Sequence, residues 1–598
     1  MQAAQLATPR STEVETNTQS EKAWRVALVV VCLALLTNLI VLFWGLNRGL
    51  DTDVESFYLV QYQNPSIYPT FSSFHLLLSK IPKLVSSEIL HYRLLEIAAR
   101  LIPALLLSLG FATWANRWLQ LSNVKRALLA TSAVLGATIV FCCFPRTISY
   151  NGLSSALLTL SVACAFFASS GVGSARVQRF GKPLLLALAG ICIALNFFVK
   201  FTSAVVLLPV LLVFLLVQRC TWRDCSAVIV GGVGGLVFFF TLVQGMGDWW
   251  TAFSEATKFE LLTDHSPAGM TAGALEFIGR HWWQGLVLLG ITFCLNRSMA
   301  TLSGEKQRTL VRLLCGAFSA LLLLTTCVLL AKSNLVKGRE SVVTIATLSF
   351  FAVLLSTSRP KNWRFLIGAV LLLLLPLIAA LGTNCNFLSH ASSNMAPWFL
   401  LIMVGSFICA DRFKAPYAMA AVPAAFALFS VTQFYSQYVY QRDDGLVLPR
   451  QSAETSKIPL LLGMKLEEKD IQFYEHAHKI LFGNGFRPGD YILSLYDFPA
   501  IVYLMQGVSP GQSWYISWPE RDEINAHYIR KAKLAEGQRV FVVLSGVDPK
   551  KIVLPKMQEA LHDPNVALAK SFKRIGVLPH PRNADFKVYF YAANTAQN

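Results

Sequence analysis

Three carboxylates stand close together at the end of the first apolar run, in the stretch LDTDVESFYL. They are Asp51, Asp53 and Glu55, and an aromatic pair, Phe57 and Tyr58, follows them. A carboxylate at the edge of a membrane can act as a general base, taking a proton from an acceptor hydroxyl or amine that attacks the anomeric carbon of a sugar. The leaving group would be a lipid phosphate, which departs without protonation but needs cations to hold its charge. Taken alone, the cluster is more typical of a solvated loop, and a base for glycosyl transfer is its functional interpretation.

Charged residues within or beside the apolar runs are candidates for the cations. Charges in a membrane are costly, so they are functional candidates by default. Arg100 stands four residues after Glu96, a spacing that predicts mutual pairing on one helical face. Lys200 lies between two closely spaced apolar runs. It either extends to the membrane surface from a tight turn or, together with Arg146, presents positive charge to a lipid phosphate.

The elements that must position these residues are membrane helices. Hydrophobic residues make up 54% of the 598 residues and charged residues only 14%, which is too few for a soluble chain. Apolar runs long enough to cross the hydrocarbon core recur up to residue 432, and the chain beyond is polar with mixed charge. The first run is too long for a signal peptide and is expected to stay as an anchor. Thirteen spans are predicted, at about 24–46, 94–116, 127–144, 150–170, 184–199, 202–218, 226–244, 284–297, 311–331, 341–357, 365–382, 396–411 and 416–432.

The distribution of Lys and Arg predicts the orientation of the spans. The formal net charge is +18, and most of the excess lies in short loops, which indicates a topology signal and argues against nucleic-acid binding. Six alternate loops are rich in basic residues, and all six fall on one side if the N-terminus is cytoplasmic. Residues 1–23 are then a cytoplasmic polar tail, 24–432 form a multi-span domain with an external loop at 47–93, and 433–598 form an extracytoplasmic domain.

The terminal domain is predicted to be mixed α/β. RPGDYILSLYD, GQRVFVVLSG and DFKVYFYAA have the pattern of strands, and PAIVYLMQG has that of a short helix. The aromatic segment PGQSWYISWPERDE is either a packed loop or a surface that contacts a glycan. The domain has no cysteine, and Cys220 and Cys225, which share a loop, lack the companions of a metal site.

Four patches resemble the GT-C superfamily of membrane glycosyltransferases that use polyprenyl-phosphate sugars, most of all its bacterial members related to protein O-mannosyltransferases and aminoarabinose transferases. They are DTDVESFYL after the first span, RLLEIAARLIPALLLS at the second, FPRTISYNGLSSALLTLSVACAFF at the fourth and LNFFVKFTSAVVLLPVLL at the fifth and sixth. The resemblance covers about residues 24–432 in architecture and is specific only in these patches. It implies a polytopic α-helical, GT-C-like fold with a C-terminal extracytoplasmic α/β domain, in the inner membrane of a bacterium.

The resemblance also implies an activity, the inverting transfer of a hexose or pentose from a polyprenyl-phosphate donor to an envelope lipid, glycan or protein. In the family the first patch holds the catalytic carboxylate, commonly as an adjacent Asp-Glu pair before the aromatic residues. Here Val54 separates Asp53 from Glu55; alignment on Tyr58 favours Glu55, and counting from the end of the helix favours Asp53. Asp53 is predicted to be the base and Glu55 its helper.

Substrate binding is expected to involve residues from all four patches. No metal ligand is predicted, and a divalent cation is left open as a cofactor because some relatives use one and others do not. The substrate-binding candidates are Asp51, Tyr58, Arg100, Arg146, Asn151 and Lys200.

Two other functional classes stay open. A transporter or flippase for lipid-linked sugars or envelope lipids would usually carry inverted repeats and acidic groups inside its spans. This chain has no evident repeat, and its carboxylates gather at the edge of the membrane. The third class is a catalytically inactive scaffold for an envelope enzyme complex.

Overall fold

The computed structural model describes most of the chain, with gaps. The described residues are 9–260 except 69–71, 143–144 and 172–174; positions 272, 275, 276 and 279; 346–349; and 363–593 except 383–386, 441–444, 536, 564, 567 and 569–570.

The part before residue 441 is helical wherever it is described in regular structure. In a helix, the backbone N–H and C=O groups of a long apolar sequence form hydrogen bonds with one another, which is what a membrane span requires. The helices before residue 261 are α1 (Pro9–Gly45), α2 (Val54–Gln63), α3 (Phe74–Ser79), α4 (Glu88–Leu119), α5 (Asn123–Thr138), α6 (Tyr150–Ser169), α7 (Ala175–Val199), α8 (Phe201–Val217), α9 (Trp222–Leu242) and α10 (Met246–Glu260). After residue 362 come α11 (Trp363–Ala380), α12 (Phe387–Ala391), α13 (Ala396–Phe413) and α14 (Pro416–Gln433), and a π-helix (Phe434–Tyr440) continues α14.

Eight helices among the described residues are long and apolar enough to cross a membrane, and α8 is a shorter apolar helix. Ten of the thirteen predicted spans coincide with helices α1, α4 to α9, α11, α13 and α14. The predicted spans 284–297 and 311–331 and nearly all of 341–357 lie outside the described residues. The helix that contains the first span begins at Pro9, so part of the predicted polar tail is helical.

Close packing of small residues joins the central helices. The helix α4 packs on α6, α6 packs on α7, and α7 packs on α9. A Cβ atom at Gly190 would lie 1.9 Å from the carbonyl oxygen of Val228, and one at Gly231 would lie 2.0 Å from that of Ala187. These two glycines therefore let the backbones of α7 and α9 approach to a distance that larger residues would prevent.

The terminal domain is a four-stranded mixed sheet with helices around it. Its strands are β1 (Tyr491–Leu495), β2 (Val540–Gly546), β3 (Phe572–Pro579) and β4 (Lys587–Ala593), in the order β1-β2-β4-β3. The β1–β2 pair is parallel, and β4 is antiparallel to both of its neighbours. The helices are α15 (Glu468–Gly483), α16 (Pro499–Leu504), α17 (Asp522–Lys531), α18 (Pro549–Ile552) and α19 (Pro555–His562).

The predicted mixed α/β character of this domain is confirmed in its elements. The three strands and the short helix predicted from sequence correspond to β1, β2, β4 and α16. The strand β3 was not predicted, because it lies at the edge of the sheet, none of its residues is fully buried, and it lacks a regular alternation of apolar and polar residues.

The terminal domain is attached to the turn that follows α1. The backbone of Gly49 donates to the carbonyl of Lys465 at 2.6 Å, and Lys465 donates to the carbonyl of Asn47 at 2.7 Å. Further along, the amide of Ala500 donates to the carbonyl of Thr52 at 3.2 Å. The stretch with the three carboxylates therefore lies between the helix bundle and the terminal domain.

Candidate functional site

Asp51 caps the helix α2. Its two carboxylate oxygens accept hydrogen bonds from the backbone amides of Asp53, at 3.0 Å, and Glu55, at 3.1 Å. Amides in the first turn of a helix have no partner within the helix, so a carboxylate at this point satisfies them. Asp51 has a structural function here, and its predicted contact with substrate stays a prediction.

Glu55 is fully buried in an ion pair with two arginines. Arg93 donates from Nε to Oε1 and from Nη2 to Oε2, both at 2.8 Å. Nη2 of Arg146 lies 3.5 Å from the same Oε2 atom. Burial raises the pKa of Glu55, but the charges of Arg93 and Arg146 more than offset that effect and leave the pKa below its usual value. Glu55 is therefore ionised, with its charge satisfied inside the protein.

The two arginines also hold the end of α1. Arg93 donates to the carbonyls of Leu46, at 2.6 Å, and Gly49, at 2.7 Å. Arg146 donates to the carbonyl of Gly49 at 3.0 Å and to that of Arg48. Arg93 opens the second sequence patch, but nothing in one sequence shows that it pairs with Glu55.

Asp53 differs from its two acidic neighbours in its surroundings. It lies directly before the first residue of α2, and its side chain does not cap the helix. Its Oδ1 atom is buried and has no hydrogen-bond partner among the described atoms. Burial, together with the charges of Asp51 and Asp497, raises its pKa from 3.8 to about 8. Of the three carboxylates, Asp53 is the one whose side chain is not committed to capping or to an arginine.

Lys200 is buried in the bundle and does not extend to a surface. It is the single residue between α7 and α8, and its side chain is 3% exposed. Its ammonium donates to Oδ1 of Asn151 at 3.0 Å and to the carbonyl of Ala379 at 2.6 Å. It also lies 5.8 Å from the ring centre of Tyr150. The structure thus brings together two of the predicted site residues, Asn151 and Lys200.

Arg100 pairs with Glu96, as the four-residue spacing predicts. Its Nε atom donates to Oε1 of Glu96 at 2.7 Å. The remaining Nη2 atom has no hydrogen-bond partner among the described atoms, and the same is true of Nδ2 of Asn394. Both residues line a small cavity together with Ser155 and Thr159. Two unused donors therefore border one cavity inside the bundle.

The helix α6 connects these groups with one another. Ser149, directly before the first residue of α6, accepts a hydrogen bond from the amide of Gly152 at 3.1 Å and shares another with Tyr58. The buried ring of Tyr58 packs on Phe74. Gly152 lies directly against the carboxylate of Glu96. The predicted residues thus form three neighbouring groups along α6. They are Asp51, Asp53, Glu55 and Arg146; Asn151 and Lys200; and Arg100 with Glu96.

Two residues of the terminal domain also reach the first group. Phe57 lies 5.2 Å from Trp514, measured between ring centres. The charge of Asp497 acts on Asp53. Trp514 belongs to the aromatic segment identified in the sequence, but Asp497 is the last residue of the predicted strand stretch RPGDYILSLYD and carried no functional signal.

The first group offers little to a metal ion. Among the described residues, no cluster of three or more His, Cys, Asp or Glu side chains is arranged to hold a cation. Asp51 uses its oxygens on backbone amides, and Glu55 uses its oxygens on Arg93. A divalent cation is therefore not assigned to these carboxylates.

Two sets of solved structures are similar to this chain along most of its length. One is ArnT from Cupriavidus metallidurans bound to undecaprenyl phosphate, with 11% identity and a TM-score of 0.40; the similarity covers 95% of this chain and 98% of ArnT. Another is the archaeal oligosaccharyltransferase AglB from Archaeoglobus fulgidus in complex with an inhibitory peptide and a dolichol-phosphate, with 12% identity and a TM-score of 0.43. It matches over 96% of this chain and 74% of AglB.

These two similarities are at 11% and 12% sequence identity. With TM-scores below 0.5, they assign neither an activity nor a role to any residue of this chain. No protein-family model matches the chain, and no curated protein matches it either.

Proposed function

We propose that this chain is a membrane glycosyltransferase that moves a sugar from a polyprenyl-phosphate donor to an acceptor of the cell envelope on the extracytoplasmic face. The observation that carries the proposal is that the three carboxylates have different contacts. Asp51 caps α2 and Glu55 is held by Arg93, whereas Asp53 keeps a buried, unpaired oxygen and a pKa of about 8. A carboxylate with a pKa near the operating pH is suited to general base catalysis.

In the proposed reaction, Asp53 is the general base. Asp53 takes the proton of an acceptor hydroxyl or amine as the oxygen or nitrogen forms a bond to the anomeric carbon. The bond between that carbon and the phosphate oxygen breaks, and the lipid phosphate leaves with the electron pair. Attack from the side opposite the phosphate inverts the configuration at the anomeric carbon. The acceptor is an envelope lipid, glycan or protein.

The departing phosphate needs a positive charge that is not already neutralised. Arg93 and Arg146 face the carboxylate of Glu55, and Arg100 faces that of Glu96. The two hydrogen bonds of Lys200, in contrast, go to neutral oxygens. We therefore assign the phosphate of the donor to the Lys200 side of the site. Buried cations of this kind stabilise charge more strongly than they would in water.

The proposal is tested with purified protein, a panel of radiolabelled polyprenyl-phosphate sugars and extracted envelope acceptors. Wild-type protein is expected to transfer or hydrolyse one of the donors, and Asp53→Asn to lose at least 99% of that activity, a loss in the range of general base catalysis. Asp411→Asn is the matched control, because Asp411 is exposed and pairs only loosely with Lys125, at 3.4 Å. Normal turnover by Asp53→Asn would remove Asp53 from the mechanism.

The alternative is a transporter or flippase for lipid-linked sugars or envelope lipids. It is favoured by one observation, the buried Glu96–Arg100 pair inside the long apolar helix α4, because charges within spans often mark a substrate path. Reconstituted vesicles separate the two. An enzyme releases polyprenyl phosphate and a glycosylated product, whereas a transporter moves an intact lipid-linked sugar across the bilayer.

A further inference from the structure

The terminal domain touches the carboxylate stretch on both sides of Asp53. Before Asp53, the amide of Ala500 donates to the carbonyl of Thr52 at 3.2 Å. After it, the ring of Phe57 lies 5.2 Å from that of Trp514, at an interplanar angle of 39°. Asp53 therefore lies in a stretch that the terminal domain contacts on both sides.

The loop between β1 and α16 presents Asp497 at this contact. The residue has a φ angle of +58°, in the left-handed region of backbone conformation that residues other than Gly, Asn and Asp rarely adopt. Its amide donates to the carbonyl of Tyr515 at 3.0 Å. Its Oδ2 atom accepts hydrogen bonds from the backbone amide of Ser517, at 3.3 Å, and from the hydroxyl of the same residue. Backbone and side chain of Asp497 are therefore both fixed within the terminal domain.

We infer that Asp497 is a positioning residue for the proposed transfer reaction: by docking on the stretch around Asp53, the terminal domain brings the carboxyl group of Asp497 next to the proposed base, where it acts on the protonation of that base. The inference rests on the proposed function for its catalytic meaning, whereas the contact of the terminal domain with the stretch around Asp53 is independent of that function. It gives the terminal domain a part in the chemistry, because the site is complete only when that domain is docked.

The electrostatics around Asp53 support this coupling. Burial is the largest cause of the raised pKa of Asp53, and the charges of Asp51 and Asp497 add to it. Burial also raises the pKa of Asp497 itself, while the hydrogen bonds from Ser517 act in the opposite direction and favour its charged form. Among the described residues, the charged groups around the stretch include Arg48, Asp51 and Glu55 on its own segment, Arg93 on α4, Arg146 before α6, and Asp497 and Arg582 from the terminal domain.

The opposing charges nearest to Asp53 are already engaged. Arg93 and Arg146 bind Glu55 and the carbonyls at the end of α1. Arg582 binds the carbonyl of Leu50 and lies 3.5 Å from Asp470. These cations are directed to other groups, and the charges of Asp51 and Asp497 add to the raised pKa of Asp53.

The first experiment measures the protonation of Asp53 without any assay of activity. A hydrophobic carbodiimide modifies protonated carboxyl groups, so the extent of modification of Asp53, measured by peptide mass spectrometry across a pH series, reports its titration in the full-length purified protein. Asp497→Asn removes the negative charge, and the midpoint of modification is expected to shift to lower pH by about 0.5–1 unit. Ser517→Ala, at an exposed position, is expected to give a smaller shift in the same direction.

The matched control is Glu559→Gln, which removes one negative charge from an exposed position on α19 in the same domain. It is expected to leave the midpoint where it is in the wild-type protein. An unchanged midpoint in both Asp497→Asn and Ser517→Ala would overturn the inference. Asp497→Glu, which restores the charge, is expected to return the midpoint most of the way.

The second experiment links the coupling to catalysis. The acid limb of the pH profile of kcat/KM is expected to move to lower pH in Asp497→Asn by the same amount as the modification midpoint, because the free enzyme then holds Asp53 ionised at lower pH. A residue with only a structural role would lower the whole profile without moving it. A shifted midpoint in a protein that transfers no sugar would refute the proposed function and leave the coupling of Asp497 with Asp53 intact.

Discussion

Arg93 donates one hydrogen bond to each carboxylate oxygen of Glu55, both at 2.8 Å, and both side chains are 1% exposed. The same guanidinium donates to the carbonyls of Leu46 and Gly49. Through this one side chain, the first residues of α2 are tied to the end of α1 and to α4. The acidic stretch is therefore a fixed part of the bundle, and the position of Asp53 follows from the anchoring of Glu55 two residues later.

We predict that Glu55→Gln destabilises the protein. The substitution leaves Arg93 and Arg146 buried without their carboxylate, and breaking a buried pair in this way costs about 3–5 kcal/mol. The free energy of unfolding in detergent, followed by the loss of helical signal, is expected to fall by that amount. Glu559→Gln, at an exposed position, serves as the control with no expected change. A Glu55→Gln protein that is as stable as wild type but inactive would instead make Glu55 the base.

A second prediction concerns the pH dependence of stability at Asp53. Its pKa in the folded protein is about 8 and its ordinary value is 3.8, so between these values the folded state binds more protons than the unfolded state. Stability contributed by the protonated side chain is therefore present below about pH 4 and is lost as the pH rises toward 8. Asp53→Asn removes this dependence. The difference in Tm between Asp53→Asn and wild type is expected to be small at pH 4.5 and to grow in favour of the variant up to pH 8.5.

The opposite pH trend at this position would contradict the raised pKa. A Tm difference that favours wild type more strongly as the pH rises would mean that the ionised carboxylate of Asp53 has a favourable partner in the folded state. Asp411→Asn, at an exposed position, controls for general effects of removing a negative charge.

A third prediction assigns donor binding to Lys200. Lys200→Met keeps most of the apolar side chain but removes the charge, and the hydrogen bonds to Asn151 and to the carbonyl of Ala379 are lost. The loss of a buried cation beside a developing phosphate charge is expected to lower kcat/KM for the polyprenyl-phosphate donor by about 100-fold or more. Lys457→Met, in the terminal domain and exposed, is the control. Donor kinetics equal to those of wild type would remove Lys200 from the site.

The roles of the three carboxylates could not be decided from the sequence, because they depend on the residue at which α2 begins. The helix begins at Val54, so Asp51 is placed to cap the first amides, Asp53 precedes the helix, and Glu55 lies in its first turn. The sequence does place the three residues at the end of a span, since apolar runs of that length predict helices well. The partner that fixes Glu55, Arg93, is distant along the chain, and such long-range pairs have no signature in a single sequence.

The contribution of the terminal domain was likewise beyond the reach of the sequence. Its strands β1, β2 and β4 could be predicted because they are short apolar runs bounded by turn residues. The importance of Asp497, however, depends on the docking of the terminal domain on the carboxylate stretch, through the contacts of Ala500 with Thr52 and of Trp514 with Phe57. Nothing in a local pattern indicates which of two domains a loop will face.

The last prediction concerns the contact between α4 and α6 that connects the groups of the site. A Cβ atom at Gly152 would lie 2.1 Å from Oε2 of Glu96 and 2.8 Å from its carboxylate carbon, so Gly152→Ala must displace the carboxylate that binds Arg100. Overpacking of a buried site costs about 1–3 kcal/mol.

Gly234→Ala on α9 is the matched control, because an added Cβ there meets nothing within 4 Å and the alanine favours the helix. In thermal unfolding of the purified protein, Gly152→Ala is expected to lower the Tm and Gly234→Ala to leave it unchanged or raise it. Equal Tm values for Gly152→Ala and wild type would show that Glu96 can move away without cost, and the close contact of α4 with α6 would then not hold the Glu96–Arg100 pair in place.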